Sequence, residues 1–211
     1  MGDVASAGRT VLFVSHNMVS INSLCQRGVY LKNGSIKYDD TAKNVINFYL
    51  DDLELSAAKG PSPKSYRYGM GSVHLVDVEI FSRDKKVTTL TIGEPVTFNF
   101  LLSNITANTN CIFTIYDQYS QAIATMNSAN QNSRDLALSN SKNSFTCEIN
   151  RLTLYPGRYR LNVAIYVNNK LNDHIEGAAV FDVKPGLING RLIHQNDYAK
   201  VYLDHIWKIP R

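Results

Sequence analysis

Long hydrophobic runs and cysteines are both scarce in this sequence of 211 residues. No apolar stretch approaches the roughly 18 residues that a membrane-spanning helix needs. The amino terminus also lacks the basic and apolar pattern of a secretory signal. The three cysteines, Cys25, Cys111 and Cys147, are too few for a disulfide framework, and their number is odd. These absences predict a soluble protein in a reducing, cytoplasmic compartment.

The chain also has only a small excess of charge of one sign. The chain carries 22 Lys and Arg against 18 Asp and Glu, a net charge of +4. The basic residues form no stripe, which argues against a nucleic-acid partner. His74, His194 and His205 have no metal-ligand spacing with carboxylates or cysteines, so we predict no metal site.

The residue pattern changes near residue 60. Before it, strand-like and helix-like segments alternate. Residues 10–14 form a continuous β-branched and aromatic run, typical of a strand buried on both faces. Residues 17–25 have helical spacing, residues 29–31 predict a strand that ends at the turn of residues 32–34, and Thr41 is a candidate helix N-cap. Residues 56–65, with two prolines and a glycine, predict a linker.

After the linker the apolar period becomes two. Short alternating segments without intervening helices predict an antiparallel β-sandwich, jelly-roll or immunoglobulin-like, over residues 66–211. The alternating sets are Val76, Val78 and Ile80; Val96, Phe98, Phe100 and Leu102; Cys111, Phe113 and Ile115; Phe145, Cys147 and Ile149; and Tyr159, Leu161, Val163, Ile165 and Val167.

Two further segments lie outside these sets. Trp207 alternates with Val201, Leu203 and His205, so we expect it to pack a terminal strand. Residues 172–174, Asn-Asp-His, predict a polar hairpin loop, with a place at the rim of a site as the alternative.

The first sixty residues contain a family resemblance. Residues 8–18, with Ser15-His16-Asn17 after the apolar run, resemble the switch-histidine segment of ABC-transporter ATPases, and the resemblance continues through residues 24–27, 31–36 and 45–50. It implies that residues 1–55 are the C-terminal fragment of a nucleotide-binding domain. It also implies that His16 is the switch histidine, whose imidazole hydrogen-bonds the γ-phosphate of ATP.

The rest of the ATPase machinery is missing from this sequence. No Gly-x-x-x-x-Gly-Lys-Ser/Thr loop occurs in it, and neither does the family's signature segment or its strand with the catalytic Glu. We therefore predict that this chain alone is not an enzyme and holds no cofactor, although members of the family bind ATP and Mg. An ATPase half that acts in trans beside a separately encoded Walker-containing chain is an alternative.

The second part of the chain has its own resemblance. Residues 66–71, 93–96, 115–117 and 155–159, with a terminal Trp207, look like the C-terminal domain of Wzt-type subunits, which energise export of O-antigen polysaccharide. The resemblance implies a homodimeric carbohydrate-binding domain, an O-antigen polysaccharide as ligand and a transmembrane permease as partner. The chain would then be cytoplasmic and peripheral at the inner membrane. A purely structural dimerisation domain without a ligand is the other alternative.

The residues themselves indicate a candidate surface. The face opposite the core set of the strand from Arg158 carries guanidinium groups, amides and a tyrosine, and the matching face of the strand from Cys111 carries Ile112, Thr114 and Tyr116. A sugar stacks its C–H face on an aromatic ring and offers hydroxyls to amides and charged groups. An ordinary solvated sheet face is the alternative. The predicted carbohydrate-binding residues are Tyr116, Arg160, Asn162, Tyr166 and Asn168.

Overall fold

The computed structural model describes residues 10–15, 18–58, 66–69, 71–130, 143–196 and 198–209. His16, the predicted switch histidine, lies outside the described residues, as do residues 59–65 of the predicted linker. The chain divides into two compact units, with the boundary between Asp52 and Leu53.

The N-terminal unit contains a short helix, a hairpin and the first part of a longer helix. These elements are α1 (Met18–Leu24), β1 (Arg27–Lys32), β2 (Ser35–Thr41) and α2 (Ala42–Ala58). Asn33 and Gly34 form the hairpin turn with φ of 53° and 74°, as a two-residue type I′ connection requires. Thr41 Oγ1 accepts a hydrogen bond from the Asn44 N–H at 3.4 Å, which confirms Thr41 as the N-cap of α2.

Two predictions for this part of the chain differ from the structure. Residues 10–14 form no strand, and Leu12 and Val14 are 92% and 97% exposed. The expected buried strand was wrong, because a strand needs a hydrogen-bonded neighbour and none of the described segments pairs with it. Helix α2 extends to Ala58, so residues 56–58 of the predicted linker are helical.

The second unit is the β-sandwich that the alternating pattern predicted. Its strands are β3 (Tyr66–Tyr68), β4 (Leu75–Ser82), β5 (Lys85–Lys86), β6 (Thr89–Thr91), β7 (Val96–Leu102), β8 (Thr109–Asp117), β9 (Ala122–Asn127), β10 (Ser144–Ile149), β11 (Gly157–Val167), β12 (Lys170–Lys184), β13 (Gly186–Ile188) and β14 (Arg191–Ile193).

Two sheets form the sandwich. The four-stranded sheet has the order β10-β7-β4-β5, and the six-stranded sheet has the order β3-β12-β11-β8-β9, with β6 pairing in parallel with β12. A short hairpin, β13-β14, follows β12 in the chain. Rings from the two sheets meet in the core, where the centroids of Phe98 and Phe113 are 5.3 Å apart and those of Phe100 and Phe113 are 4.7 Å apart.

Alternation along the central strand β11 fills that core. Leu161, Val163 and Ile165 are at most 1% exposed, because successive side chains of a strand point to opposite faces of its sheet. The same alternation is broken in β4, where Val76 is 48% exposed although Val78 and Ile80 are buried. A β-bulge between Leu75 and Asp77 in the pairing with β7 accounts for this error, because it inserts one residue into the alternation.

The C-terminal segment is not the predicted strand. Residues 202–209 have no regular structure, and Trp207 is 71% exposed, with its ring edge-on to His205. Tyr202 is the buried residue here, and its N–H donates to the Thr153 carbonyl at 2.7 Å. The prediction that the odd-numbered residues face the core was therefore wrong, because backbone pairing with residues 153–155 buries Tyr202.

An ion pair closes one edge of the sandwich. Residues 172–174, expected as a loop, lie within β12, and Asp173 is 1% exposed. Its carboxylate accepts the Leu75 N–H at 2.8 Å and lies 2.8 Å from Arg67 Nε. The pair therefore joins β3 and β12 of one sheet to the start of β4 in the other. A buried carboxylate is tolerated only with such partners.

Neither helix of the described residues combines the length and the hydrophobicity that crossing a bilayer requires.

The change Asp173→Asn tests the role of this ion pair in stability. It removes the charge that faces Arg67 and should lower the free energy of unfolding by about 3 kcal/mol, the typical cost of breaking a buried pair. Urea unfolding measures the loss. The matched control is Asp182→Asn on the same strand, whose partner Arg158 is 3.9 Å away and about half exposed; it should cost less than about 1 kcal/mol. Equal losses in the two variants would contradict the structural role.

Candidate carbohydrate-binding surface

The strands that carry the predicted site are neighbours. Strand β11 pairs with β8 in antiparallel register, with Arg160 opposite Tyr116 and Asn162 opposite Thr114. The structure thus brings together the residues that the sequence placed on two separate strands. They lie on the side of the six-stranded sheet that faces away from the core, here called the outer face. Its members are Tyr68, Asn110, Ile112, Thr114, Tyr116, Thr125, Arg158, Arg160, Asn162, Ala164, Tyr166, His174 and Glu176.

Arg160 and Tyr116 form a stacked pair at one end of the outer face. The guanidinium carbon Cζ lies 4.5 Å from the centroid of the Tyr116 ring, within the range of a cation–π interaction. Arg160 is only 7% exposed, and its Nη1 donates to Asn162 Oδ1 at 2.9 Å. The guanidinium is therefore held in one orientation, with its charge retained.

Asn162 is the residue that fixes this arrangement. Its Oδ1 accepts a second hydrogen bond, from the Gly177 N–H at 2.9 Å. Gly177 has φ of 64° and lies at the irregularity where β12 carries extra residues opposite Asn162. Because the oxygen takes both donors, the amide Nδ2 of Asn162 is a donor without a partner among the described residues. The side chain replaces the ladder hydrogen bond that the bulge disrupts.

Tyr166 and Asn168 differ in their positions. Tyr166 is half-buried on the outer face, opposite Asn110 of β8. Asn168 lies beyond the end of β11, where it and Asn169 form the turn to β12 with φ of 49° and 61°. Its Oδ1 accepts a hydrogen bond from Asn108 Nδ2 at 3.0 Å. The structure therefore places Asn168 in the hairpin turn and not on the strand face, because the left-handed conformation of a type I′ turn requires such residues.

A second aromatic pair lies on the outer face and was missed from the sequence. Tyr68 of β3 is opposite His174 of β12, and their rings stack with centroids 6.0 Å apart at 27°. Tyr68 is 54% exposed. Burial, and after it the negative charge of Glu176, raises the pKa of the Tyr68 hydroxyl. Strand β3 has only three residues, too few for an alternation signal.

The described cysteines and acidic residues were candidates for reactive or metal-binding groups. Burial, with a smaller contribution from Cys147, raises the pKa of Cys111 to about 12, so this thiol stays protonated at neutral pH. All three cysteines are free. Within the part of the chain that the structure describes, no group of three or more His, Cys, Asp or Glu side chains is placed to hold a metal ion.

Comparison with known proteins identifies the family. A family model described as the Wzt C-terminal domain matches residues 64–194. The chain belongs to the Wzt C-terminal domain family. This confirms the resemblance found in the second part of the sequence and gives the chain a role in an ABC transporter for polysaccharide export, a system with a membrane permease. The resemblance of residues 1–55 to an ABC ATPase stays a prediction.

One solved structure agrees with this fold. The crystal structure of the C-terminal domain of wzt matches with a TM-score of 0.51 and 19% identity, over 72% of this chain and 99% of that chain. At this identity the likeness shows the fold alone. The PmoD soluble domain from Methylocystis sp. ATCC 49242 (Rockwell) has a TM-score of 0.33 and 12% identity, over 55% and 94% of the two chains, which supports no argument. No curated protein sequence matches the chain.

The change Asn162→Ala tests whether this amide organises the surface. It leaves the Gly177 N–H and Arg160 without their acceptor and should lower the free energy of unfolding by about 2 kcal/mol. The control Asn110→Ala lies on the same face but makes no side-chain hydrogen bond within the described residues, and it should stay within about 0.5 kcal/mol of the parent protein. Urea titrations compare them. If Asn162→Ala is as stable as the control, the amide has no organising role.

Proposed function

We propose that the outer face binds the polysaccharide that the transporter exports. The observation that supports this most is the arrangement of Arg160, Tyr116 and Asn162 on adjacent, registered strands. The half-buried ring of Tyr116 offers a surface on which the C–H face of a sugar packs, and the buried guanidinium of Arg160 holds that ring in place. The amide Nδ2 of Asn162 supplies a further donor to sugar hydroxyls.

The rigidity of this group supports binding over a merely solvated face. An arginine on a solvated strand face normally extends into water with many rotamers. Arg160 is almost completely buried and is held by Asn162 and the Tyr116 ring. Side chains ordered before binding lose less conformational entropy when a ligand arrives. A preorganised donor surface is what recognition of a flexible, hydroxyl-rich ligand requires.

The ligand in this proposal is an O-antigen polysaccharide on the cytoplasmic side of the inner membrane. The domain would capture the finished glycan and present it to the permease, while ATP hydrolysis would come from a complete nucleotide-binding domain. Residues 1–55 would then be the end of such a domain, with His16 as its switch histidine.

The change Tyr116→Ala tests the proposed binding site. Loss of the stacking ring should weaken binding of the producing strain's O-polysaccharide, released from its lipid by mild acid, roughly tenfold, which corresponds to about 1.4 kcal/mol. Isothermal titration calorimetry measures the dissociation constant. Arg160→Lys, which keeps the charge and loses the planar donors, should also weaken binding.

The matched control for this experiment is Tyr198→Ala, which removes a fully exposed tyrosine from the C-terminal segment and should bind as the parent protein does. Parent-like affinity in both the Tyr116 and the Arg160 variants would exclude the outer face as the glycan site.

The C-terminal segment favours a second candidate function, homodimerisation. Four large apolar side chains there are more than 70% exposed, a density typical of an interaction surface. They are Leu203, Ile206, Trp207 and Ile209. A second copy of the chain that covers them would remove this apolar area from water.

The double change Ile206→Asp and Ile209→Asp tests the dimer. Buried carboxylates disfavour an apolar interface, so sedimentation equilibrium should show the mass falling from that of a dimer to that of a monomer, with the far-ultraviolet circular dichroism of a folded chain retained. Leu187→Asp, at another exposed apolar site, 63% exposed in β13, should leave the dimer intact. A parent protein that sediments as a monomer would rule out this function.

A further inference from the structure

The Tyr68–His174 pair has no role in the site around Tyr116. Tyr68 lies on the edge strand β3, more than half exposed, and its ring is held against His174. Directly behind this pair, Arg67 and Asp173 form the buried ion pair that fixes β3 to β12 and to the start of β4. An exposed aromatic ring on a rigidly anchored strand is a platform for stacking, because little of its order has to be acquired on binding.

The two aromatic pairs share one face of one sheet. The register places Tyr68 beside His174, His174 beside Ala164, and Ala164 beside Ile112. Tyr116 is four residues further along β8 than Ile112. With strands about 4.8 Å apart and about 3.4 Å per residue along a strand, three strand spacings and four residues separate Tyr68 from Tyr116 by about 20 Å.

Two polar side chains lie between the two pairs. By the register, Glu176 of β12 and Asn162 of β11 are on the diagonal from Tyr68 to Tyr116, whereas Ala164 and Ile112 are level with His174. The amide of Asn162 is neutral, and the carboxylate of Glu176 can accept hydrogen bonds from sugar hydroxyls. A chain of neutral sugars can therefore lie across the sheet from one aromatic pair to the other.

We propose that Tyr68 and His174 form a second subsite for the same glycan, so that the outer face binds a stretch of polymer longer than a disaccharide. This inference rests on the proposed function of the outer face. The sugar at the second subsite is an uncharged one, because the carboxylate of Glu176, two residues from His174 on the outer face, would repel an anionic residue. The same carboxylate accepts hydrogen bonds from neutral sugar hydroxyls.

Chain length is the variable that tests the second subsite. The probe is the producing strain's O-polysaccharide, freed from lipid by mild acid and separated into a short fraction, no longer than a disaccharide, and a long fraction. The parent protein should bind the long fraction more tightly than the short one, because only the long chain reaches both pairs. Calorimetry at equal concentrations of repeat units measures both affinities.

Variants assign the difference to residues. Tyr68→Ala should weaken binding of the long fraction roughly tenfold and leave the short fraction, which binds at Tyr116, unchanged. Tyr68→Phe should bind the long fraction as the parent does, since the ring remains. His174→Ala should also weaken binding of the long fraction. Tyr198→Ala is the control with an exposed tyrosine removed elsewhere, and unfolding midpoints establish that each variant is folded.

The outcomes separate the two proposals. If both fractions bind the Tyr68→Ala and His174→Ala variants as tightly as the parent, while Tyr116→Ala loses affinity, the second subsite is wrong and the glycan site stands. If the parent binds neither fraction, or if Tyr116→Ala and Arg160→Lys both bind the two fractions as tightly as the parent, the proposed function itself fails. Should Tyr68→Ala not fold, Tyr68→Leu and His174→Ala decide in its place.

Discussion

The register of strand β11 determines the core and the outer face together. The strand is paired on both sides, by β12 and β8. Leu161 and Val163 enter the core and alternate with Arg160 and Asn162, which lie on the outer face. A slip of one residue would turn the guanidinium toward the core and the apolar set toward the outer face. The left-handed turn after the strand fixes the hairpin with β12. Stability of the core therefore enforces the geometry of the candidate site.

Two polar contacts, at separate places in the six-stranded sheet, also hold the outer face in position. Near the middle, Asn162 binds the Gly177 N–H where β12 bulges, and so holds Arg160 over its ring. At the β3 edge, Asp173 holds Arg67 and the start of β4. Both contacts satisfy groups that would otherwise be buried without partners. Each also holds in place an element that carries an aromatic side chain of the outer face.

Sequence reasoning succeeded where a pattern is local and failed where a partner is distant. Alternation was sufficient to predict which side chains of β11 and β8 lie on the face away from the core. It therefore placed Tyr116, Arg160 and Asn162 on that face. It could not locate the Arg67–Asp173 pair, whose members are 106 positions apart. Nor could it place Tyr68, which lies on a strand of three residues. The errors at Val76 and Trp207 have one physical origin, since a bulge or a change in backbone pairing shifts the phase of alternation without leaving a signal in composition.

The most direct measurement of the central claim is a map of backbone amide shifts as the producing strain's O-polysaccharide is added to the isotopically labelled protein. The account predicts that the perturbed amides cluster in β11, β8 and β12, around Arg160 and Asn162, and that those of β7 and β10 in the opposite sheet stay unchanged. Shifts confined to the four-stranded sheet, or no shifts at millimolar repeat units, would contradict it.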